Sequence, residues 1–554
     1  MLALKKKWCY HVEQSEVRQT LRPYFRLLTS AAMDKQAEAL FPGPFVTKQE
    51  ASPVATQSTS ALVVTLVFLR EHWRRLVAIS AAVTIPCFWH RHIETQDLAS
   101  HLYNAWLEQL IKRGRAPGLS LSRQWSNVLY DLALSGVDRV VGLRAAEKIV
   151  VSAAILLFFW GAFALTCAMA RRISWFLLPC LAMFAYGWTF EKGFMNYYIS
   201  IGLAFWGLAI LLRGRGWERG LAAMLAPLIW IAHPLGVILL MIGAAYILLV
   251  EYLPASTRAC LFAAAALLLI AGHFFIRIRV HHTAYDKGHF GATWGTQHWW
   301  LIQDGTNQLV IHGWWYSLLA HLLQVFLLVC ILVDMVRRRH EPRWWSSYLL
   351  PLELYGLTLL AAALLPSGIR VRQVIGPLLA IPERVTAISA ILICCILAVM
   401  KPQKWHLAGF ATIAILFFSF LYRDTAKVNY IEEQAEAYVR LLPPGQRVIA
   451  PLQSFPGDPI SIYHIVDDAC IDHCFSYANY EPSSGQFHVR VQSENPFVMA
   501  DLDEANAASQ GRRYIVKPQD FPLYEIYQCN GSLTQLCIRA LRVGDNTAEF
   551  LPGR

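Results

Sequence analysis

The stretch His90-Arg91-His92-Ile93-Glu94-Thr95-Gln96-Asp97-Leu98-Ala99-Ser100-His101 follows directly on an apolar run at 76–90. Carboxylates placed just outside a membrane-length segment, followed by many further apolar runs, predict a polytopic helical membrane protein with a polar site at one membrane face. From Thr95 to Lys112 the spacing predicts a helix. Leu98, Leu102, Ala105, Trp106, Gln109 and Leu110 share one side, and Asp97, His101, Asn104 and Glu108 the neighbouring one. Such a helix is expected to lie on the outer leaflet, presenting Asp97 and His101 one turn apart.

Composition points the same way. Of 554 residues, 56% are hydrophobic and 16% charged, too apolar for an ordinary soluble enzyme. The net charge of +11 does not imply nucleic acid, because Arg and Lys cluster between the apolar runs. Spans are expected at 76–90, 147–170, 173–190, 194–212, 219–233, 235–253, 258–275, 313–336, 346–366, 373–400 and 405–422, eleven in all. With the N-terminus inside, the inner connections carry Arg171 and Arg172, then Arg213, Arg215 and Arg219, then Arg258, then Arg337, Arg338, Arg339 and Arg343, then Lys401 and Lys404. Each agrees with the positive-inside rule. Around His233-Pro234, two spans joined by a tight turn and one kinked or re-entrant hairpin are both open.

Four regions follow. Residues 1–60 read as a largely disordered cytosolic segment, rich in Pro, Ser and Thr toward its end. Residues 61–75 read as an interfacial helix, since Ala61–Leu69 is too short to span and runs into Arg70-Glu71-His72-Trp73-Arg74-Arg75. Residues 76–423 form the transmembrane domain, with a first external loop at 91–146. Residues 424–554 form a small extracytoplasmic α/β domain. It is expected to open with a helix over Ala426–Leu442, with strands near Gln446–Pro451, Tyr514–Val516 and Leu536–Ile538. It has no glycine-rich phosphate loop and no nucleophile motif, so it reads as a cover for the membrane site. Cys470, Cys474, Cys529 and Cys537 favour two disulfides in an oxidising compartment. A metal held by Cys470, Asp472, His473 and Cys474 is the alternative, at a spacing unlike a standard zinc motif.

Other polar residues gather on the expected outer rim. Glu191 and Lys192 end one span, and His233 closes an outer turn. The loop 276–312 carries Arg277, Arg279, His281, His282, Lys287, His289 and His298, and Arg370 and Arg372 precede the tenth span. Many bases and few acids suit a polyanion. Pro382-Glu383-Arg384 sets charges in a long apolar run, costly unless they are paired or face a cavity. Each has a plainer reading: Asp97 as a helix N-terminal carboxylate worth about 0.3–1 kcal/mol, the Trp residues of 294–315 as an aromatic belt, Arg277 and Arg279 as snorkelling side chains.

The order of these features resembles the GT-C superfamily of bacterial membrane glycosyltransferases, which includes protein mannosyltransferases and aminoarabinose transferases. The resemblance rests on the first span, the acid of Gln96-Asp97-Leu98-Ala99-Ser100-His101, the long first external loop, the number of spans and the outer C-terminal domain; it covers about 75–442. It implies transfer of a hexosyl or pentosyl group from a polyprenyl-phosphate donor to a glycan, lipid or protein acceptor in the bacterial inner membrane, with a divalent metal as a possible cofactor and no metal ligand assigned. It makes Asp97 the catalytic base of an inverting displacement. Arg370, Arg372 and Arg384 become candidates for donor phosphate, with His101, Lys192, His233 and His282 as further substrate-binding candidates. The adjacent Asp-Glu pair of the family is replaced here by Glu94 three residues ahead of Asp97, so both carboxylates stand as catalytic candidates. A non-enzymatic transporter or envelope-assembly protein is the alternative; a transporter is expected to carry internal repeats, and no convincing repeat is present.

Overall fold

The computed structural model describes residues 61–286, 288–295, 304–371, 378–485 and 487–547. The segment 1–60 expected to be disordered, and Arg372, lie outside the described residues. Among the described residues, eight helices are long and apolar enough to cross a membrane: Leu143–Ala170, Met195–Arg213, Pro234–Tyr252, Arg258–Arg279, Trp314–Arg338, Trp344–Leu364, Ile381–Val399 and Lys404–Leu441. Leu143–Ala170 and Met195–Arg213 pack most intimately, with glycine against backbone. A Cβ on Gly161 would fall 2.5 Å from the Gly202 carbonyl oxygen, and one on Gly202 would fall 2.9 Å from Phe158 Cα. Small residues at a helix crossing allow the backbone approach on which packing in lipid depends.

The remaining three expected spans take other forms. Residues 61–75 and the first span are not separate elements: Ala61–Thr84 is one helix. Arg75 stays within it by lying over the Trp175 ring at 3.9 Å. The run 173–190 is divided into Trp175–Leu177, Leu178–Ala185 and Trp188–Glu191. The run 219–233 is divided into Gly220–Met224 and Ala226–Ala232, where Pro227 lacks the amide needed to continue the first segment. At His233 the chain is extended (φ −166°, ψ 135°) before Pro234 opens the next helix, as expected for a residue preceding proline.

The last span and the expected Ala426–Leu442 helix are likewise continuous. Lys404–Leu441 is a single helix of 38 residues, roughly 57 Å long at 1.5 Å per residue and so nearly twice the bilayer core. Its first half, with Phe410, Phe417 and Leu421, joins the bundle core. Its second half, with Val428, Ile431, Ala435 and Val439, joins the core of the C-terminal domain. That domain carries a four-stranded sheet in the order Phe475–Ser476, Arg447–Ile449, Leu523–Gln528, Leu536–Leu541. The first two pairings are parallel and the last antiparallel. The expected strand at Tyr514–Val516 is reduced to one bridge, Ile515 to Asn546. Cys529 and Cys537 are joined across the hairpin. The second expected disulfide is not formed: Cys470 and Cys474 are buried free thiols on successive turns.

The helix Leu98–Lys112 does not lie on a lipid surface. Nine of its fifteen residues are buried, because both of its faces are covered. Leu98, Leu102 and Ala105 enter the bundle core, and Tyr103 and Leu107 the core of the C-terminal domain. Farther along the same loop, Leu119–Leu121 pairs antiparallel with Val489–Val491. The segment 91–146 is thus a layer between bundle and domain. Contacts from the domain to Arg91, Arg144, Lys192 and His312 fix it on one end of the bundle. At the other end Arg172 donates to the Ala398 carbonyl at 2.8 Å, and Asp334 accepts from the Lys401 amide at 3.1 Å.

Tyr103 is fully buried in this layer, and its hydroxyl accepts from the Ser476 amide at 3.0 Å. Tyr103→Ala is expected to lower stability by about 3–5 kcal/mol and to loosen the C-terminal domain before the bundle. Limited proteolysis of detergent-purified protein should then cut within 424–547 at rates well above wild type.

Candidate functional site

The loop from the Ala61–Thr84 helix returns through Ile85–Cys87 and reaches Asp97, which precedes the helix Leu98–Lys112. Gln96 fixes this turn from three directions. Its amide accepts from Lys192 Nζ at 2.7 Å and from the Ser461 amide at 3.1 Å, and donates to the Tyr463 hydroxyl at 2.9 Å. Its backbone N–H donates to the Glu191 carbonyl at 2.8 Å. Gly193 completes the approach: its φ is +76°, and a Cβ there would lie 2.6–2.9 Å from the Asp97 backbone and Cβ atoms. Only glycine combines that left-handed backbone with so close a neighbour.

Asp97 occupies the N-cap position but makes no capping hydrogen bond with its side chain. The plain reading of a helix N-terminal carboxylate holds for its position, but without a side-chain capping hydrogen bond. The carboxylate keeps 21% of its side-chain exposure and lies 4.0 Å from His464 Nε2, a nitrogen without a hydrogen-bond partner among the described residues. His464 Nδ1 is 2.7 Å from Asp467, which also accepts from the Ser476 hydroxyl. This second carboxylate fixes which imidazole nitrogen faces Asp97. Burial opposes a charged His464, yet the bond to Asp467 outweighs it and raises the imidazole pKa above its ordinary value.

Two cations lie within electrostatic range of Asp97. Its charge acts on both Lys192 and Arg384. Lys192 Nζ donates to Gln96 and, at 2.6 Å, to the Pro459 carbonyl, and burial lowers its pKa. Arg384 lies 3.6 Å over the Phe194 ring, and its only side-chain hydrogen bond among the described residues is from Nε to the Leu379 carbonyl at 3.0 Å. It forms no ion pair with the adjacent Glu383 among the described residues, so the sequence pair Glu383-Arg384 is not a local salt bridge. His233 joins through its edge contact with Tyr197, whose hydroxyl donates to the Arg384 carbonyl at 2.6 Å.

His101, one turn on from Asp97, is committed elsewhere. Its Nδ1 is 2.7 Å from Asp131, which also accepts from Asn196 at 2.9 Å. Burial disfavours the imidazolium, but Asp131 overrides it and holds the pKa up at about 9. Nearby Glu481 is pushed up to about 7 by burial, against the pull of His101 and His464. Glu94 points into a different environment. It lines a cavity with His92, Glu147, Glu432 and Asp468, and burial raises its pKa. The two carboxylates that the sequence leaves as equals are thereby separated.

The other candidates are not brought to Asp97 by any described contact. His282 is half exposed, stacked on His289 at 4.1 Å and facing Asp286. Arg370 ends the strand Gly368–Arg370 in a small sheet with Gly291–Thr293 and Leu378–Leu379, where its Nε donates to the Ala284 carbonyl at 2.9 Å. The sequence reading missed Gln96, His464, Asp467 and Glu481. A signal existed for the last three: His464, Asp467 and Glu481 are ionisable residues interspersed among apolar ones, and all are buried. Comparison with protein-family models, with curated proteins and with solved structures found no significant match to this chain.

The His101–Asp131 pair gives a pH signature. His101 has a raised folded pKa, so its contribution is fully present below pH 6.5 and lost as pH rises through about 9. Asp131 has a lowered one, so its contribution is lost as pH falls below the ordinary carboxylate value of 3.8. The stability difference between wild type and Asp131→Asn is expected to be greatest near pH 5–6, on the order of 3 kcal/mol. It should shrink toward pH 10, read as thermal unfolding midpoints in detergent.

Proposed function

We propose that this chain is a membrane glycosyltransferase that moves a sugar from a polyprenyl-phosphate donor to an acceptor hydroxyl on the extracytoplasmic side, with Asp97 as the base. The observation that carries the proposal is the placement of Asp97: partly exposed, free of capping duty, and within electrostatic reach of Lys192 and Arg384. In the reaction, Asp97 takes the proton of the acceptor hydroxyl as its oxygen attacks the anomeric carbon. The bond from that carbon to the phosphate oxygen breaks with inversion, and polyprenyl phosphate leaves. Its charge needs cations at the leaving oxygen. Lys192 has spent two of three ammonium protons on Gln96 and Pro459, leaving one for a phosphate oxygen. Arg384 has both Nη groups without hydrogen bonds among the described residues, a fork suited to phosphate.

His464 fits as a partner to the base. A hydroxyl placed in the 4.0 Å gap between His464 Nε2 and Asp97 would contact both. The aromatic rings of Tyr463 and Tyr480 beside His464, with centroids at 4.2 and 5.4 Å, offer faces for a sugar. The topology that goes with this reading has the N-terminus inside and the basic connections on the cytoplasmic face of a bacterial inner membrane. The Ala61–Thr84 helix and the two broken segments then complete eleven crossings, and the C-terminal domain is extracytoplasmic. Support comes from the opposite-end placement of the domain and of Arg172, Arg338 and Lys401.

Asp97→Asn is expected to lower transfer from polyprenyl-phosphate sugars by about 10²–10⁴-fold with an unchanged melting profile. Lys192→Gln and Arg384→Gln should raise the KM for donor. Glu94→Gln should leave the chemical step in place. Absence of transfer by folded wild-type protein with hexosyl and pentosyl donors alike would overturn the proposal in favour of a transport or assembly role.

A further inference from the structure

The cavity that Glu94 enters is about 30 Å³, room for one or two small species. It is bounded by four acids drawn from four different elements: Glu94 in the loop, Glu147 in Leu143–Ala170, Glu432 in the long helix, and Asp468 in Ile465–Cys470 of the C-terminal domain. His92 stands among them. Its Nδ1 lies 3.4 Å from Glu432 Oε1 and 3.0 Å from Asp468 Oδ2. Ligands bonded to one ion at 2.0–2.2 Å in tetrahedral array are separated by about 3.3–3.6 Å; the 3.4 Å pair matches this and the 3.0 Å pair is closer, and one ligand atom from each of the three residues lies within 4.8 Å of the other two.

Charge balances here only if acids are protonated or a further cation is bound. Arg144 Nη1 contacts both oxygens of Asp468 at 2.6 Å. Lys148 Nζ bonds the His90 carbonyl at 3.3 Å and no carboxylate. Four acids therefore face two fixed cations and one imidazole. Among the residues lining the cavity, Glu147 Oε2, Glu94 Oε1, His92 Nε2, Thr95 Oγ1, His312 Nε2 and His464 Nε2 are buried without a hydrogen-bond partner among the described residues. Glu147 is 1% exposed, and its unpartnered oxygen is 3.9 Å from Arg144, outside hydrogen-bond reach. Unpaired carboxylate oxygens at such depth are costly unless they are neutralised or ligate a metal.

We propose that His92, Glu432 and Asp468, with Glu147 or Glu94 supplying the next oxygen, bind one divalent transition cation of the Zn²⁺ or Mn²⁺ class. One imidazole among carboxylates favours these over Mg²⁺ or Ca²⁺, which prefer all-oxygen shells. The ion bridges the loop, the bundle and the C-terminal domain in a cavity that shares Gln96 and His464 with the Asp97 surroundings, and its binding is read apart from sugar transfer.

The test uses full-length protein in detergent, stripped with EDTA and dialysed against micromolar ZnCl₂ or MnCl₂. Elemental analysis should find one ion per chain, and the melting temperature should rise on loading. Mn²⁺ spin resonance should show a coupled imidazole nitrogen that His92→Gln abolishes. Glu432→Gln and, as a milder second variant, Glu147→Gln should each weaken binding at least tenfold; the exposed-site variant Asp286→Asn should not. Folded wild type without stoichiometric metal overturns the site. So does undiminished binding in both carboxamide variants, and so does binding of Mg²⁺ or Ca²⁺ in preference to both transition ions.

Discussion

The structure depends on burying a polar layer between two bodies. The Leu98–Lys112 helix and the turn before it are covered on one side by the bundle and on the other by the C-terminal domain. The buried polar groups of the helix therefore find partners inside the protein instead of water. Asn104 is held with Asn479 and Glu481, Glu108 with Ser135 and His488, and His101 with Asp131. These pairings reach from the loop to the bundle and to residues more than 370 positions away. Burial of that kind adds little net stability, but removing one partner strands the other, so it fixes one arrangement of the two bodies.

The long helix makes the arrangement rigid. Because Lys404–Leu441 runs unbroken from the bundle into the C-terminal domain, the domain cannot swing on a flexible linker. The strand pairing of Leu119–Leu121 with Val489–Val491 ties it a second time. A loop that moved freely would carry Asp97 with it. Here the position of Asp97 is set by Gln96 and Gly193, whose contacts belong to both bodies, as a preorganised site requires.

Much of the fold was legible because lipid demands long apolar helices, and that demand is written in hydropathy. Eight of the expected spans coincide with continuous helices. The failures have physical causes. Charges at Arg70–Arg75 looked like the end of a membrane element, although Trp175 shelters Arg75 inside one helix. The segment 422–426 looked like a domain boundary because polarity changes there, yet nothing in it interrupts helical hydrogen bonding. The amphipathic stripe of the loop was real, but periodicity cannot say whether a stripe meets lipid or protein. For the site, Asp97, Lys192, His233 and Arg384 were found by being charged or polar at the rim. His464 and Glu481 were not, because what makes them notable is burial against residues hundreds of positions away.

Glu94 and Asp97 show how far three residues can separate two chemistries. Both carboxylates sit on the same short turn, and no local property of the sequence distinguishes them. Asp97 retains access to solvent and is faced by Lys192, Arg384 and the free edge of His464. Its anion is compensated without being consumed in a salt bridge, the condition under which a carboxylate can accept a proton from an incoming hydroxyl. Glu94 lies beside Glu432, Glu147 and Asp468, where each added negative charge raises the cost of the next. A carboxylate in such company holds a proton or shares a cation and is poorly placed to act as a base. The difference arises from what the second half of the chain lays against each residue, so the role of the turn is decided by the docking of the C-terminal domain.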